Sequence, residues 1–461
     1  MNVDFLTFIY STCGFIVAIG VLVTVHEFGH FWVARKLGVK VLRFSVGFGK
    51  PLWLKRSGPD QTEYVVAAVP LGGYVKMLDE REDDVDEGEL ERAFNRKSVW
   101  RRFAIVFAGP AFNFLFAILA YYLIYLAGVS GVKPVIGEIE SPSPAYAAGV
   151  QPGDLILSVN GVETPSWETA RFRLLEESVG SEQIVFQVQS PDLQIRERIM
   201  DITGLGLLKK DEIDLLGDLG LSAWRPDIPP TVTEVLPDGA GKEADLEVGD
   251  LVVSINGDPV ENARQWLKLI RDNPETELRL VVLRNNAPIE LTLIPRSRTQ
   301  DGETFGYIGV RSQVNVPEEV RREMHVSERY GPLDGFFAAI DRTWRTTWLT
   351  VRFLGKLVTG EASVRNLSGP ITIAHYAGLS ARIGLEPFLV LLAVISISLG
   401  VLNLLPIPML DGGHLLYYLV EIFKGSPVSE QTEIIGQKIG ILLLLCLMSL
   451  AIYNDLLRLV N

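Results

Sequence analysis

The chain has 461 residues, 48% of them hydrophobic, a formal net charge of −13 and a mean hydropathy of +0.23. That length allows several domains, and the hydropathy calls for membrane spans mixed with water-soluble parts. The acidic balance argues against a nucleic-acid binder, and with only Cys13 and Cys446, both in apolar runs, neither a disulfide framework nor a cysteine zinc site can form.

Phe5 to Val25 carries no charged side chain and is long enough to cross a bilayer. It lacks a basic n-region and a small-x-small cleavage site, so it reads as a retained helix. Residues 1–34 thus form a first transmembrane helix, and it ends on His26-Glu27-Phe28-Gly29-His30. Residues four apart share a helix face, so His26 and His30 can grip one metal ion, with Glu27 beside it to take a proton from water. Two satisfied core histidines are the competing reading. Ionisable groups near the centre of a span cost about 2.5–3.5 kcal/mol each, which favours a functional site.

Residues 35–98 form a cytoplasmic-side β region and an acidic loop. Arg35, Lys36, Lys40 and Arg43 mark the cytoplasmic flank. The β-formers around Val46-Gly47-Phe48-Gly49, Tyr64 to Val69 and Leu71 to Val75 predict short strands in a hairpin-like, membrane-associated sheet. An open edge there could pair with an extended peptide; a packed structural hairpin is the alternative. Asp79 to Arg92, with nine carboxylates against two arginines, reads as solvated.

Arg96, Lys97, Arg101 and Arg102 flank the second span, residues 99–130, which contains Gly109-Pro110 and Asn113. The proline bends a helix and Asn113 can bond across to a neighbour; both read equally as packing devices, with Asn113 a candidate to support a metal ligand.

The middle of the chain is β-rich and repeated, over residues 131–223 and 224–315. Gly153-Asp154 to Asn160-Gly161 in the first copy matches Gly249-Asp250 to Asn256-Gly257 in the second. In each, Gly-Asp opens a strand and Asn-Gly closes it with a tight turn. Each copy is expected to end on a strand, at Gly217 to Leu221 and at Gly306 to Val310. The pattern resembles the PDZ domain in its circularly permuted form. By that resemblance, grooves beside the Gly220 and Gly309 strands would take an extended peptide or chain end, or would serve only as a size filter.

Residues 316–384 mix apolar side chains with Arg342, Arg345, Arg352, Lys356, Trp344 and Trp348, as amphipathic helices at the membrane interface do. His325 and His375 have no partner pattern. The third span, residues 385–422, includes Asn403 and then Pro406-Ile407-Pro408-Met409-Leu410-Asp411-Gly412-Gly413-His414. Broken backbone at membrane depth must be shielded or line a polar cavity. That places Asp411 well as a third metal ligand, with His414 as its rival. The last span is residues 432–456, where Lys438 snorkels to the cytoplasmic face.

His26-Glu27-x-x-His30, the Gly47-Phe48-Gly49 hairpin, the tandem repeats and Asn403-x-x-Pro406-x-Pro408-x-Leu410-Asp411-Gly412 together resemble the site-2 protease family. The resemblance covers essentially the whole chain and departs at no motif position. It implies a polytopic α-helical membrane protein: four transmembrane helices, a membrane-associated β-hairpin sheet and two tandem extracytoplasmic PDZ domains. It also implies Zn2+ bound by His26, His30 and Asp411, with Glu27 as the catalytic carboxylate. Asn403 and Gly47, Phe48 and Gly49 would engage the substrate. The implied substrates are pre-trimmed single-span membrane proteins such as an anti-sigma factor, and remnant signal peptides, cut during envelope stress. The basic flanks put the metal site near the cytoplasmic side of a bacterial inner membrane, with both termini and the repeats in the periplasm. Two other classes fit less of the pattern: a membrane-tethered PDZ peptide receptor with a silent metal site, and a metal transporter, for which the remaining spans supply almost no polar ligands.

Overall fold

The computed structural model describes residues 5–82, 84–211, 213–300, 303–312, 316 and 318–460. Asp83 of the acidic stretch and residues 313–315, which close the expected second repeat, lie outside them. Among the described residues, four helices are long and apolar enough to cross a membrane: Leu6–Lys36, Val99–Ala127, Leu385–Leu404 and Glu430–Leu459. The first stops where Arg35 and Lys36 fill its last turn and Gly38 takes φ +74°. Cations suit the negative end of a helix dipole, and a left-handed glycine ends the helix.

The first two helices cross backbone to backbone. A Cβ added at Gly29 would lie 2.4 Å from the Ala108 carbonyl oxygen, so no larger residue permits the approach. The third helix joins the second through Ala117, Ala120, Ile397 and Val401, and the Ser396 hydroxyl donates to the Asn113 carbonyl at 2.9 Å. It breaks after Leu404, and a second helix, Asp411–Lys424, rises from the turn between. Residues 385–422, expected as one interrupted span, are therefore two helices.

Strands Val41–Ser57 and Thr62–Met77 form a curled sheet on the side of the basic flanks. Arg43 to Val46 pair with Glu63 to Val66 on one side and with Gly73 to Lys76 on the other. Leu52, Trp53 and Val69 stay exposed, which suits a sheet lying against lipid.

At the opposite end of the spans stand two domains that share their order of elements up to the last segment, where the first has the helical turn Leu215–Leu219 and the second the hairpin Arg296–Gln300 with Glu303–Tyr307. Each has a four-stranded sheet centred on Leu155–Val159 or Leu251–Ile255, one longer helix (Trp167–Gly180 or Ala263–Arg271) and a separate two-stranded ribbon. Asn160 and Gly161, like Asn256 and Gly257, all take positive φ, the backbone an Asn-Gly hairpin turn needs. Each domain has its own core, around Phe186 in the first and Trp266 in the second.

Two expectations are corrected. Gly217 to Leu219 is not strand: Asp214 accepts from the Gly217 N–H and caps a helical turn over Leu215–Leu219, so the strand is only Leu221–Ala223. In the second copy Gly306 and Tyr307 end the strand Glu303–Tyr307, and after a break at Ile308-Gly309 the next strand is Val310–Ser312. The region 316–384 is not wholly helical either. His325–Glu328 pairs with Val129–Val132, and this ribbon closes the two repeats off as one insertion between spans. Its partner lies some two hundred residues away, a pairing that local pattern cannot reveal.

Burial pushes the Asp250 carboxyl up, but the Arg284 guanidinium and the Glu247 N–H outweigh it and hold it below the usual carboxylate range. A depressed folded-state pKa adds stability above the unfolded value and loses it as pH falls through the folded one. We expect hydrogen exchange of Leu251–Ile255 in the full-length protein to speed up below about pH 4, the unfolded Asp range. In Arg284→Met it should already be fast at neutral pH; equal protection in both proteins would show that this pair does not hold the second repeat.

Candidate metal centre

His26 and His30 project from one face of the first helix, and Asp411 enters from the first turn of its own helix. His26 Nε2 and His30 Nε2 are 3.3 Å apart, and Asp411 Oδ2 lies 3.2 Å from the first and 3.4 Å from the second. Ligand atoms at the corners of a tetrahedron with bonds of roughly 2.0–2.1 Å, the zinc–imidazole length, are about 3.3–3.4 Å apart. The Asp411 Oδ2 atom is buried without a hydrogen-bond partner, and two imidazole nitrogens, each able to offer a lone pair, face it. Two imidazoles and a carboxylate at this spacing fit zinc, with a fourth corner left for water or substrate. Among the described residues these are the only three side chains so arranged, and His414, the rival ligand, is not among them.

The second span holds the ligands in place. His30 Nδ1 lies 2.9 Å from the Ile105 carbonyl, so Nδ1 carries the proton and donates it there, leaving Nε2 as the ligand. The Asn113 amide, fully buried, contacts His26 Nδ1 at 3.2 Å, while its own Oδ1 has no partner. Turning the amide over lets Nδ1–H donate to Oδ1, which satisfies both groups and fixes His26 in the same tautomer. Gly109 forms the floor: a Cβ there would lie 2.3 Å from His30 Nε2. Pro110, which cannot close the helix bond to Val106, loosens this turn.

Two glycines let the Asp411 turn fold onto its own carbonyls. A Cβ at Gly412 would meet the Leu405 carbonyl oxygen at 2.1 Å, and one at Gly413 the Ile407 carbonyl oxygen at 2.6 Å. Met409 takes φ +90°, a conformation that costs a non-glycine residue roughly 1–3 kcal/mol and clusters at functional sites.

Glu27 is half-buried, and among the described residues nothing hydrogen-bonds its carboxylate. Gly73 lies against it: a Cβ at Gly73 would be 3.1 Å from Glu27 Cγ and 2.6 Å from the Ser45 carbonyl oxygen. Gly47, Phe48 and Gly49 sit one layer away, Gly47 against Val69 and Phe48 stacked on Tyr74 at 6.1 Å. The strand that reaches Glu27 is thus Thr62–Met77, at Gly73, and the Gly72-Gly73 doublet inside a β run is the signal of close backbone approach that marks it. Asn403 occupies the last turn of the third helix, half-buried, its amide without a hydrogen-bond partner among the described residues. Gly220 and Gly309 have φ +75° and +67° and turn against Ser143 and Gly239.

Residues 14–447 match peptidase family M50. The chain is 44% identical over 455 residues to the regulator of sigma-E protease RseP of Escherichia coli, covering 98% of this chain and all of that one. It is 44% identical over 457 residues to protease RseP of Yersinia pestis, with the same coverage of both. A Vibrio cholerae protein that carries the name of a zinc metalloprotease is 43% identical over 465 residues, 98% of this chain and 99% of its own.

Removing a group that orients a metal ligand typically costs 10–100-fold in affinity. Asn113→Ala should release zinc at about that much lower chelator concentration while keeping its fold. Gly109→Ala should retain no zinc at all. Stoichiometric zinc in purified Gly109→Ala would refute the geometry of the floor.

Proposed function

The chain belongs to peptidase family M50 and is an intramembrane zinc metalloprotease of the site-2 type, and from that premise we propose which residues do the chemistry and what they act on. In this reading His26, His30 and Asp411 hold the zinc and Glu27 is the catalytic carboxylate. The observation that carries it is the triangle of three donor atoms, 3.2 to 3.4 Å on a side, next to a carboxylate with no hydrogen-bond partner among the described residues.

When bound, zinc supplies a Lewis acid for the scissile carbonyl and acidifies the attacking water. Glu27 takes the proton from that water and passes it to the leaving amine. A peptide in a helix hides its carbonyls in hydrogen bonds, so the substrate must be extended before attack. The strand Thr62–Met77 at Gly73, beside Glu27, with the Gly47-Phe48-Gly49 segment packed behind it, offers an edge on which that extended form is held. The free amide of Asn403 bonds the substrate's backbone or steadies its neighbouring helix.

The substrates are transmembrane segments of single-span proteins already trimmed outside the membrane, such as an anti-sigma factor, and remnant signal peptides. Regulation of sigma-E by the Escherichia coli relative supports this assignment. The protein is a multi-pass protein of a bacterial inner membrane; its basic flanks beside the hairpin put the metal centre towards the cytoplasm, with the termini and both repeats in the periplasm.

The repeats act as PDZ domains that select trimmed substrates. The second has an open groove of about 1040 Å³ between its helix Ala263–Arg271 and the strand Val310–Ser312, floored by Ile228, Trp266, Ile270 and Ile308. An extended peptide or chain end fits such a slot. In the first repeat the corresponding helix is docked instead: Arg342 lies over Phe172, and Arg345 pairs with Glu176 at 3.4 Å. The membrane-tethered receptor survives only as a protein that binds zinc and peptide without turnover.

Glu27→Gln should keep one zinc per chain and lose cleavage of a single-span substrate by about 10²–10⁴-fold, the contribution typical of a general acid–base group. Normal turnover by this variant removes Glu27 from the mechanism. Deleting both repeats should let untrimmed substrates be cut while short ones are still processed; loss of cutting for short substrates would count against the filter.

A further inference from the structure

The last helix, Glu430–Val460, is exposed along almost all its length, and among its described residues only Gly440, Asn454 and Asp455 are buried. A helix in lipid gains little from apolar contacts with its neighbours, so these few contacts decide where it stands. They fall in two places, one near each end.

At the end towards the repeats, the Asp455 carboxylate accepts the N–H groups of Gly369, Ile371 and Thr372 at 2.9, 2.8 and 3.1 Å, and the Thr372 hydroxyl at 2.6 Å. The helix Pro370–Ile383 has no side-chain cap of its own; Asp455 caps it from another helix, where a negative charge meets the unpaired N–H groups of a helix start. Gly369 is required there, since a Cβ would lie 2.5 Å from the carboxylate. Asn454 donates to the carbonyls of Val364 and Leu367 at 2.8 and 3.2 Å. This loop is also tied to the first repeat: the Ser363 N–H donates to the Leu208 carbonyl at 2.7 Å, and the Asn366 amide to the same carbonyl at 3.0 Å.

Near the other end, a Cβ at Gly440 would lie 2.0 Å from the Pro408 carbonyl oxygen, and one at Gly436 would lie 2.3 Å from the Tyr417 hydroxyl. Pro408 stands three residues before Asp411 and directly before the strained Met409. One straight helix therefore touches both the loop bonded to the first repeat and the turn that presents Asp411.

We infer that the last helix is a strut: Asp455 fixes its height against the 363–372 loop, and Gly440 passes that height to the Pro408–Asp411 turn. Asp455 and Gly440 are positioning residues for the metal centre, although neither touches it. The inference rests on the reading of His26, His30 and Asp411 as zinc ligands.

Full-length wild type, Asp455→Asn, Gly440→Ala, the double variant and Asp411→Ala are purified in detergent, and zinc loss is followed against chelator concentration for the folded fraction. Leu442→Ala, on the exposed face of the same helix, is the control. Each positioning variant should lose zinc at about tenfold lower chelator concentration, in the range seen when a supporting group around a metal is removed. The double variant should lose it no more easily than the weaker-binding single variant, because both changes break one strut. Melting temperatures that fall while the chelator curves stay at wild type would mean a merely structural role and overturn the inference; so would fully additive shifts. If Asp455→Asn does not accumulate folded, Gly440→Ala, which leaves the clamp intact, decides alone. Wild type without zinc overturns the metal reading and this inference with it, whereas zinc-bearing wild type beside unaltered positioning variants overturns only the strut.

Discussion

Three electron-rich atoms, two imidazole nitrogens and one carboxylate oxygen, are held within 3.4 Å of one another in a region shielded from water. Left to themselves they would separate, because lone pairs repel and water is not there to bridge them. Everything around them serves to prevent separation. Gly29 and Gly109 bring two helices into backbone contact, and Gly412 and Gly413 fold a turn onto its own carbonyls. The strain at Met409 is a second cost of the same arrangement, set against the large free energy of binding a divalent ion.

A low-dielectric setting makes each polar group either paired or expensive. The spans meet this demand with groups from different helices. The Ile105 carbonyl and Asn113 take the histidine protons, and Ser396 reaches the Asn113 carbonyl. Near the basic flank, Arg102 on the second span meets Glu421 at 2.6 Å and lies over the Tyr418 ring, tying the second span to the helix that begins at Asp411. Both side chains are half-buried, which shelters the tie from full solvent screening. Second span, Asp411 helix and last helix thus fix the site from three directions.

Access is organised by what is left open. The curled sheet puts backbone at Gly73 against Glu27, where a side chain would crowd the carboxylate. On the other side of the spans, the first repeat is docked on the helix Pro332–Val358 through arginines that meet Phe172 and Glu176, while the groove of the second stays clear. Two copies of one domain thereby differ in their surroundings, one held against the membrane part and one with its groove open.

Much of this was legible from local pattern. Uncharged runs of sufficient length mark the spans, His-x-x-x-His places two nitrogens on one helix face, and Asn-Gly with Gly-Asp marks both repeats, because each depends on residues near one another in the chain. That Asp411 and not His414 lies beside the two histidines, and which backbone and side-chain groups face their Nδ1 atoms, were decided only by tertiary structure. So were the closeness of Gly73 to Glu27, the pairing of His325–Glu328 with Val129–Val132 and the clamp of Asp455 on Gly369. These contacts join segments far apart in sequence, and most run through backbone carbonyls or N–H groups, which every residue possesses and no side-chain pattern can announce.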